Sequence, residues 1–387
     1  MVNLKVAGLA AVVSALAGLA TAEVRGVSDT EIRVGSVGDL SGPLALWGVD
    51  AANGMKLRLE EANAAGGVHG RKITLLLEDG QYQIPLAVRM GRKLVERDDI
   101  FAGLLNVGTP QTLAVMEIQD KANVPNLFPL TAAGSVVEPL NALHFSQYVS
   151  YENQARGAVK YFAGQGVTKY CLQTVASDYG EEVVKGALGE IEAQGATVSL
   201  HGKHKTTEVD FAGAATAIKN ADCEVLLMGT TIKDTITLYA TLRKLGWDRP
   251  IVANMVAYAP LVAAASDGVT DGLYVVTPLK IADFGDGDPW RADFAKRYQA
   301  SFGAVPTIQS QQGYVAADLM VRGLENAGPE LTVETLTKGL EAITEYVDPF
   351  GGPTQSYSAT KHSGADTLNL AQSKAGGWVI VQENLPY

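Results

Sequence analysis

From Glu31 onward, the chain alternates short runs rich in β-branched residues with longer stretches that carry apolar residues at helical spacing. Residues 32–40 and 72–78 are typical of strands, and the apolar positions between 51 and 62 recur on one helix face. Regular alternation of this kind indicates right-handed crossovers and a parallel sheet with helices on both sides. The sequence therefore predicts an α/β fold.

The same alternation restarts after Tyr151. The strands predicted in this second half are 169–175, 197–201, 224–228 and 250–253. A third block predicts a strand at 273–277 and three helices, and it precedes a glycine-rich tail with strand-like pieces at 354–358, 368–371 and 378–381. Irregular segments around 148, 278 and 367 divide the chain. We therefore expect two interleaved lobes, lobe I of residues 29–148 and 278–366 and lobe II of residues 149–277 and 367–387.

The first 22 residues have the order of a secretory signal peptide. Lys5 is followed by an apolar run and then by Ala20-Thr21-Ala22, which predicts cleavage after Ala22. The apolar run of about 14 residues is shorter than the roughly 20 that span a bilayer. No cysteine lies near the cleavage site, so a lipid anchor is not supported. We expect a soluble protein exported to the periplasm.

Composition excludes several classes of protein. Hydrophobic residues make up 47% of the chain, which is enough for real cores and argues against disorder. The formal net charge is -11, so the chain lacks the basic surface that nucleic acids or anionic membranes require. We expect no nucleic-acid partner.

The segment Asn106-Val107-Gly108-Thr109-Pro110 stands at a predicted junction between strand and helix, where ligands of open parallel sheets bind. Thr109 suits the N-cap, Pro110 suits the first helical position, and Gly108 allows close backbone approach. Together with the helix dipole, these residues predict an anion site for a carboxylate. An ordinary capped helix fits the same residues equally well.

Other junctions carry aromatic or hydroxyl side chains. Trp47 lies at a predicted helix start, Tyr179 follows the first strand of the second half, and Thr231 with Asp234 predicts a capping box. Each is more often structural than functional when taken alone. Together they predict two facing edges and a cleft between the lobes.

Signatures of catalysis are missing from the sequence. It contains no G-x-S-x-G elbow, phosphate loop, H-E-x-x-H or G-x-G-x-x-G motif. His201 and His204 form a close pair without acidic or cysteine neighbours along the chain, so we interpret them as solvated strand-end histidines rather than a metal site. We expect no catalytic residue, no metal and no cofactor.

The two cysteines leave alternatives open. Cys171 lies in the first predicted strand of lobe II, and Cys223 precedes the third, which neighbours the first in the common doubly wound order. In an exported protein the two residues could form a disulfide. Two separate buried thiols are the alternative, because neighbouring parallel strands seldom provide the required geometry.

A family resemblance is carried by motifs near the start of the mature chain and by weaker matches further on. The motifs are Ile32-x-Val34-Gly35, Ser41-Gly42-Pro43, Gly48, Glu61-Ala62-Asn63, the run at 66–73, Asp178-Tyr179-Gly180, Leu242-Arg243-x-x-Gly246 and the helix around Tyr314. With these motifs the chain resembles the leucine/isoleucine/valine-binding family of type I periplasmic solute-binding proteins, which serve ABC importers. The resemblance covers essentially the whole mature chain.

The resemblance implies two Rossmann-like, doubly wound lobes joined by a three-segment hinge that closes over one small ligand. By position, Thr109 and the segment Leu130-Thr131-Ala132 resemble the part of the family's site that holds the ligand carboxylate. Trp47 stands in the place of an aromatic pocket wall. Tyr179 and Thr231 resemble contacts from the second lobe.

One departure from the family bears on specificity. Amino-acid binders of this family place an acidic residue on the strand that ends near Met255, because a buried ammonium group needs a partner. This chain has no acid there, and Gln309 stands where binders of apolar side chains tend to have an aromatic residue. Two ligand classes therefore stay open, an amino acid and a carboxylate without an ammonium group. Tyr179, Tyr258 or Gln309 would orient the second kind of ligand.

The leading hypothesis is a monomeric binding protein that delivers a small carboxylated solute to an ABC permease of the inner membrane. A ligand-sensing subunit that reports to a membrane receptor is the alternative. An exported α/β enzyme is a third hypothesis, which predicts turnover of the bound compound.

Overall fold

The computed structural model describes residues 24–265 and 268–387. The predicted signal peptide lies outside these residues. Within the described ranges, no helix combines the length and the apolar character needed to cross a bilayer.

Lobe I contains a five-stranded parallel sheet with the strand order β2-β1-β3-β4-β5. Its strands are β1 (Glu31–Gly38), β2 (Lys72–Asp79), β3 (Ala102–Leu104), β4 (Asn126–Leu127) and β5 (His144–Phe145). The helices between them are α1 (Ala45–Ala64), α2 (Ile84–Arg92), which continues into a π-helical turn, and α3 (Thr109–Lys121). The carboxyl ends of β1, β3 and β4 lead into the loops that carry the candidate site.

Lobe II contains a seven-stranded sheet with the strand order β12-β11-β10-β9-β8-β6-β7. Its strands are β6 (Lys169–Val175), β7 (Thr197–His204), β8 (Val225–Gly229), β9 (Ile251–Asn254), β10 (Tyr274–Thr277), β11 (Asn369–Lys374) and β12 (Gly377–Gln382). Its helices are α4 (Tyr151–Ala163), α5 (Asp178–Ala193), α6 (Ala212–Asn220), α7 (Ile232–Lys244) and the short α8 (Pro260–Ala263). Strands β11 and β12 run antiparallel to their neighbours, whereas the other pairs are parallel.

The C-terminal helices pack with the first sheet. They are α9 (Pro289–Phe302), α10 (Ile308–Ala327) and α11 (Val333–Glu341), and they share one apolar cluster with α1 and β1. Helices α1 and α10 approach closely because Gly54 and Gly313 leave room for backbone: a Cβ at Gly54 would overlap the Ser310 carbonyl oxygen. The Tyr314 hydroxyl adds a 2.7 Å hydrogen bond to Glu61.

The chain crosses between the two sheets in three neighbouring segments, two of which are joined by backbone hydrogen bonds. The Ser146 backbone N–H donates to His362, and the Gly364 N–H donates to the Ser146 carbonyl. Lys280, in the third crossing segment, lines the same small cavity as Tyr148. These three adjacent connections are compatible with the predicted three-segment hinge between the lobes.

The sequence predictions differ from the structure in several elements, and β5 and α8 are among those that were not predicted. Helix α4 was not predicted, although Ser150 caps it by accepting a hydrogen bond from the Asn153 N–H. The strand predicted at 354–358 is wrong: Gln355 makes only an isolated bridge with Tyr346. Tyr357 packs against the rings of Phe128 and Phe145 beside the first sheet. This aromatic packing, rather than a place in a strand, explains why Tyr357 is buried.

Cys171 and Cys223 form a disulfide, with their Cα atoms 5.6 Å apart. In the β6/β8 ladder, Cys171 is the register partner of Leu226. Cys223 therefore lies before the paired part of β8 and is not held directly opposite Cys171. The alternative of two separate thiols is therefore wrong. Unfavourable disulfide geometry was expected for residues paired within neighbouring parallel strands, and Cys223 lies outside the paired part of β8.

Candidate functional site

A cleft runs between the carboxyl edges of the two sheets, and residues of both lobes line its cavities. One of them, of about 680 Å³, lies between the start of α2 and the start of α5. The lobes also touch directly, because the Glu182 carboxylate of α5 accepts the backbone N–H groups of Gly134 (3.1 Å) and Ser135 (3.0 Å) in lobe I. The structure thus has the lobes in contact around the cleft.

The hydroxyls of Thr109 and Thr131 pair at the lobe I edge of the cleft. Helix α3 begins at Thr109, and the cap position belongs to Gly108. The predicted N-cap role of Thr109 is therefore wrong. Its buried hydroxyl instead lies 2.6 Å from that of Thr131. Both hydroxyls stand beside the first turn of α3, where backbone N–H groups lack helical acceptors.

Gly108 is required by a contact within the protein. Its φ is +89°, and a Cβ there would meet the ring of Tyr82 and the side chain of Gln111. The Gln111 side-chain amide donates to the Tyr82 carbonyl (2.9 Å). The Tyr82 ring therefore lies against the start of α3, a contact that was not predicted.

Tyr151 and Tyr179 extend this polar group into lobe II. Their rings meet edge to face with centroids 4.8 Å apart. Burial raises the pKa of Tyr151, while hydrogen bonds to the Ala132 backbone and the Thr131 hydroxyl oppose the rise. The Tyr179 hydroxyl donates to Asn254 (3.0 Å), and burial raises its pKa well above the usual value. Both hydroxyls therefore stay protonated, and that of Tyr179 uses its proton in the bond to Asn254.

Lobe II also places a buried carboxylate in the cleft. The Thr231 hydroxyl donates to the Asp234 carboxyl group (2.7 Å) and accepts no backbone N–H of α7, so the predicted capping box is replaced by a bond between the two side chains. Asp234 is 2% exposed and also contacts His204 Nε2 (3.2 Å). It contributes to the raised pKa values of both Tyr82 and Tyr179, after burial as the main cause. The cleft thus holds an acidic group at a position that the family motif did not indicate.

The interpretation of His204 as solvated and without an acidic neighbour is wrong. His204 ends β7 and is buried, with Gln173 beside its Nδ1 (3.0 Å) and Asp234 beside its Nε2. His201 is half-buried, with its Nε2 3.3 Å from the Thr174 hydroxyl. No group of three metal-ligating side chains occurs among the described residues.

The remaining lobe I candidates are buried around the same edge. Trp47 lies in the first turn of α1, and its indole N–H has no acceptor among the described residues. Both polar atoms of the Asn106 side chain are hydrogen-bonded: its oxygen accepts from the Val37 N–H (2.9 Å) and its nitrogen donates to Asn126 (3.4 Å). Asn106 therefore positions the loop after β3, and Leu130 and Ala132 are buried in the neighbouring loop after β4.

The other predicted site residues are Met255, Tyr258 and Gln309, and all three are buried. Met255 shares an apolar cluster with Ala132 and Tyr179. Tyr258 packs on Trp378 with ring centroids 5.3 Å apart, and burial raises its pKa to about 12. Gln309 is buried near the start of α10, and its amide nitrogen has no partner among the described residues. No hydrogen bond within the described ranges joins Tyr258 or Gln309 to the Thr109–Thr131 pair.

Three residues around the cleft were not predicted as site residues: Tyr82, Tyr151 and Asn254. Tyr82 follows the end of β2 and Asn254 ends β9, so the rule of reading strand ends could have found both. Tyr151 gave no such signal, because it begins the unpredicted helix α4.

Comparisons with known proteins agree with this architecture. A family profile described as periplasmic binding protein matches residues 31–377. Leu/Ile/Val-binding protein homolog 7 of Brucella abortus is 24% identical over 311 residues, which cover 77% of each chain.

Solved structures share the fold. A fatty acid ABC transporter substrate-binding protein from Thermomonospora curvata has a TM-score of 0.83 at 21% identity, covering 94% of both chains. A branched chain amino acid ABC transporter from Thermus thermophilus with bound valine has a TM-score of 0.83 at 18% identity, covering 93% of this chain and 97% of that one. A solute binding protein from R. palustris in complex with benzoate has a TM-score of 0.79 at 19% identity, covering 92% and 97%. Because the profile spans both sheets and the cleft between them, this chain belongs to the periplasmic binding protein family, whose members bind solutes and are not enzymes.

Proposed function

We propose that the protein captures a small carboxylated solute in the cleft and delivers it to an ABC permease of the inner membrane. The observation that carries the proposal is the Thr109–Thr131 hydroxyl pair, which lies at the start of α3 and beside the Tyr151 hydroxyl. Hydroxyl and backbone N–H donors that converge at a helix start favour an anion.

The chemistry of the related proteins is compatible with this ligand class. Valine, benzoate and fatty acids share a carboxylate, whereas valine alone among them carries an ammonium group. Asp234 would be the acidic partner for an ammonium group in this chain, and it is already bonded to Thr231 and His204. We therefore propose the carboxylate as the recognised group and keep amino, aromatic and aliphatic acids within the class.

We further propose that the lobes, divided as residues 29–148 with 278–366 and 149–277 with 367–387, close around the solute as a monomer. The contacts of Glu182 with Gly134 and Ser135 support closure, because they bind lobe II to lobe I beside the site. A ligand that contacts both lobes shifts the population toward the closed form. Export with cleavage after Ala22 is part of the proposal, and the mass of the secreted protein tests it.

A thermal-shift screen of the chain from Glu23 onward tests the ligand class, because a ligand that binds only the folded state raises its melting temperature. The screen compares amino, aromatic and aliphatic acids with their uncharged amides as matched controls. Carboxylates are expected to raise the melting temperature and the amides are not. Absence of a shift with every carboxylate would contradict the proposal. Stimulation of the reconstituted permease by the loaded protein tests delivery.

A further inference from the structure

An apolar cavity of about 280 Å³ lies at the mouth of the cleft, between α1 of lobe I and α7 and α8 of lobe II. Its walls include Leu44, Leu46 and Trp47 on one side and Ile236 and Leu261 on the other. An apolar cavity of about 150 Å³ is already large enough to bind benzene. The volume is therefore sufficient for an apolar group larger than one aromatic ring.

Two wall residues of this cavity are unusually open to solvent. Leu46 is 72% exposed and Leu261 is 53% exposed, and they belong to different lobes. Single exposed apolar side chains are common, but two that face one cavity from opposite lobes form a joint apolar surface. This surface depends on the approach of the lobes, so an apolar occupant would bind when the lobes close.

A second, smaller cavity connects this surface with the carboxylate site. It measures about 140 Å³ and shares Leu44 and Thr231 with the apolar cavity, and its walls also include Tyr82 and Asp234. Tyr82 in turn lies against Gly108, next to Thr109. A continuous row of residues thus leads from the Thr109–Thr131 pair past Tyr82 to Leu46 and Leu261.

We infer that the apolar cavity holds the tail of the solute, so that the ligand class is carboxylic acids with an extended apolar tail. This inference rests on the proposed function, since the tail is placed relative to the carboxylate at Thr109 and Thr131. Burying the tail removes apolar surface of both ligand and protein from water, and affinity therefore increases with tail length until the cavity is filled.

Calorimetric titration of the chain from Glu23 onward with butyrate, hexanoate and octanoate tests the inference. Each added methylene group is expected to tighten binding by about four-fold. The variants Leu46→Asp and Leu261→Asp place a charge at the cavity wall on positions that are solvent-exposed, so folding should be retained. They should weaken octanoate by about ten-fold or more while leaving butyrate unchanged. Val347→Asp is the matched control, because Val347 is also exposed and does not line the cavity.

The outcomes separate the inference from the function on which it rests. If short carboxylates bind and affinity does not rise with tail length, the tail site is wrong and the carboxylate site stands. If the length dependence survives in both Asp variants, the tail lies elsewhere and the inference is also wrong. If no carboxylate of any length binds, the proposed function falls together with the inference.

Discussion

The hydroxyl oxygens of Thr109 and Thr131 lie 2.6 Å apart, although 22 residues separate them in the chain. Parallel pairing of β3 with β4 produces this contact, because both residues follow the carboxyl ends of these neighbouring strands. One hydroxyl proton is used within the pair and the other is left to donate. Thr131 also accepts the Ala133 backbone N–H (3.3 Å), and either hydroxyl of the pair can be the donor.

Replacing Thr109 with Val should weaken carboxylate binding by about 10- to 100-fold, the effect of losing a hydrogen bond to a charged group. Val has nearly the same shape, so the fold should be retained. Calorimetric titration gives the affinity, and thermal unfolding checks the fold. Thr216→Val is the control, because the exposed Thr216 hydroxyl bonds only the Ala212 carbonyl of its own helix. Unchanged affinity in Thr109→Val would assign the pair a purely structural role.

The alternation of strands and helices was sufficient to predict the α/β class and most elements, because periodicity reports directly which face of an element is buried. Positions at strand ends were also predictable: Thr109, Thr131 and Tyr179 all follow a strand. Hydrogen-bond partners were not predictable. Thr231 bonds the Asp234 side chain instead of the backbone, and His204 reaches the same carboxylate from β7. These contacts depend on how neighbouring helices and strands pack together, and the local periodicity of the sequence does not contain that information.

The disulfide between Cys171 and Cys223 should stabilise lobe II. It closes a span of 52 residues, and the loss of chain entropy in the unfolded state predicts about 4 kcal/mol for a loop of that length. Urea unfolding of the Cys171→Ala/Cys223→Ala variant should show this decrease in the free energy of unfolding. Ligand affinity should stay the same, since both cysteines pack in the apolar cluster behind the β6/β8 face and do not line the cleft cavities. An unfolding free energy equal to that of the oxidised wild type would contradict the prediction.

Two glycine-to-alanine replacements should have opposite effects on stability. At Gly54 in α1, the added Cβ would overlap the Ser310 backbone of α10, so we expect a loss of about 3 kcal/mol. At Gly189 in α5, a Cβ meets no atom within 4 Å, and the gain in helix propensity should stabilise the protein by about 0.5–1 kcal/mol. Denaturant unfolding measures both values. Equal effects of the two replacements would mean that α1 and α10 are not held in close contact.

Asp348 should make stability depend on pH near the hinge. Burial raises its pKa to about 6, Asp318 adds to the rise, and a 2.8 Å hydrogen bond from the Phe350 N–H opposes it. A raised pKa means that the folded state holds the proton more tightly than the unfolded state. The free energy of unfolding should therefore fall as pH rises from about 4 to about 6, by about 2–3 kcal/mol for a shift of this size.

Asp348→Asn keeps the acceptor oxygen and removes the titration. Its stability relative to wild type should rise across this window and level off above it, as measured by urea unfolding at several pH values. Glu330→Gln, at an exposed position, is the control for general charge effects. A difference between Asp348→Asn and wild type that does not change with pH would show that this carboxyl does not titrate in the window.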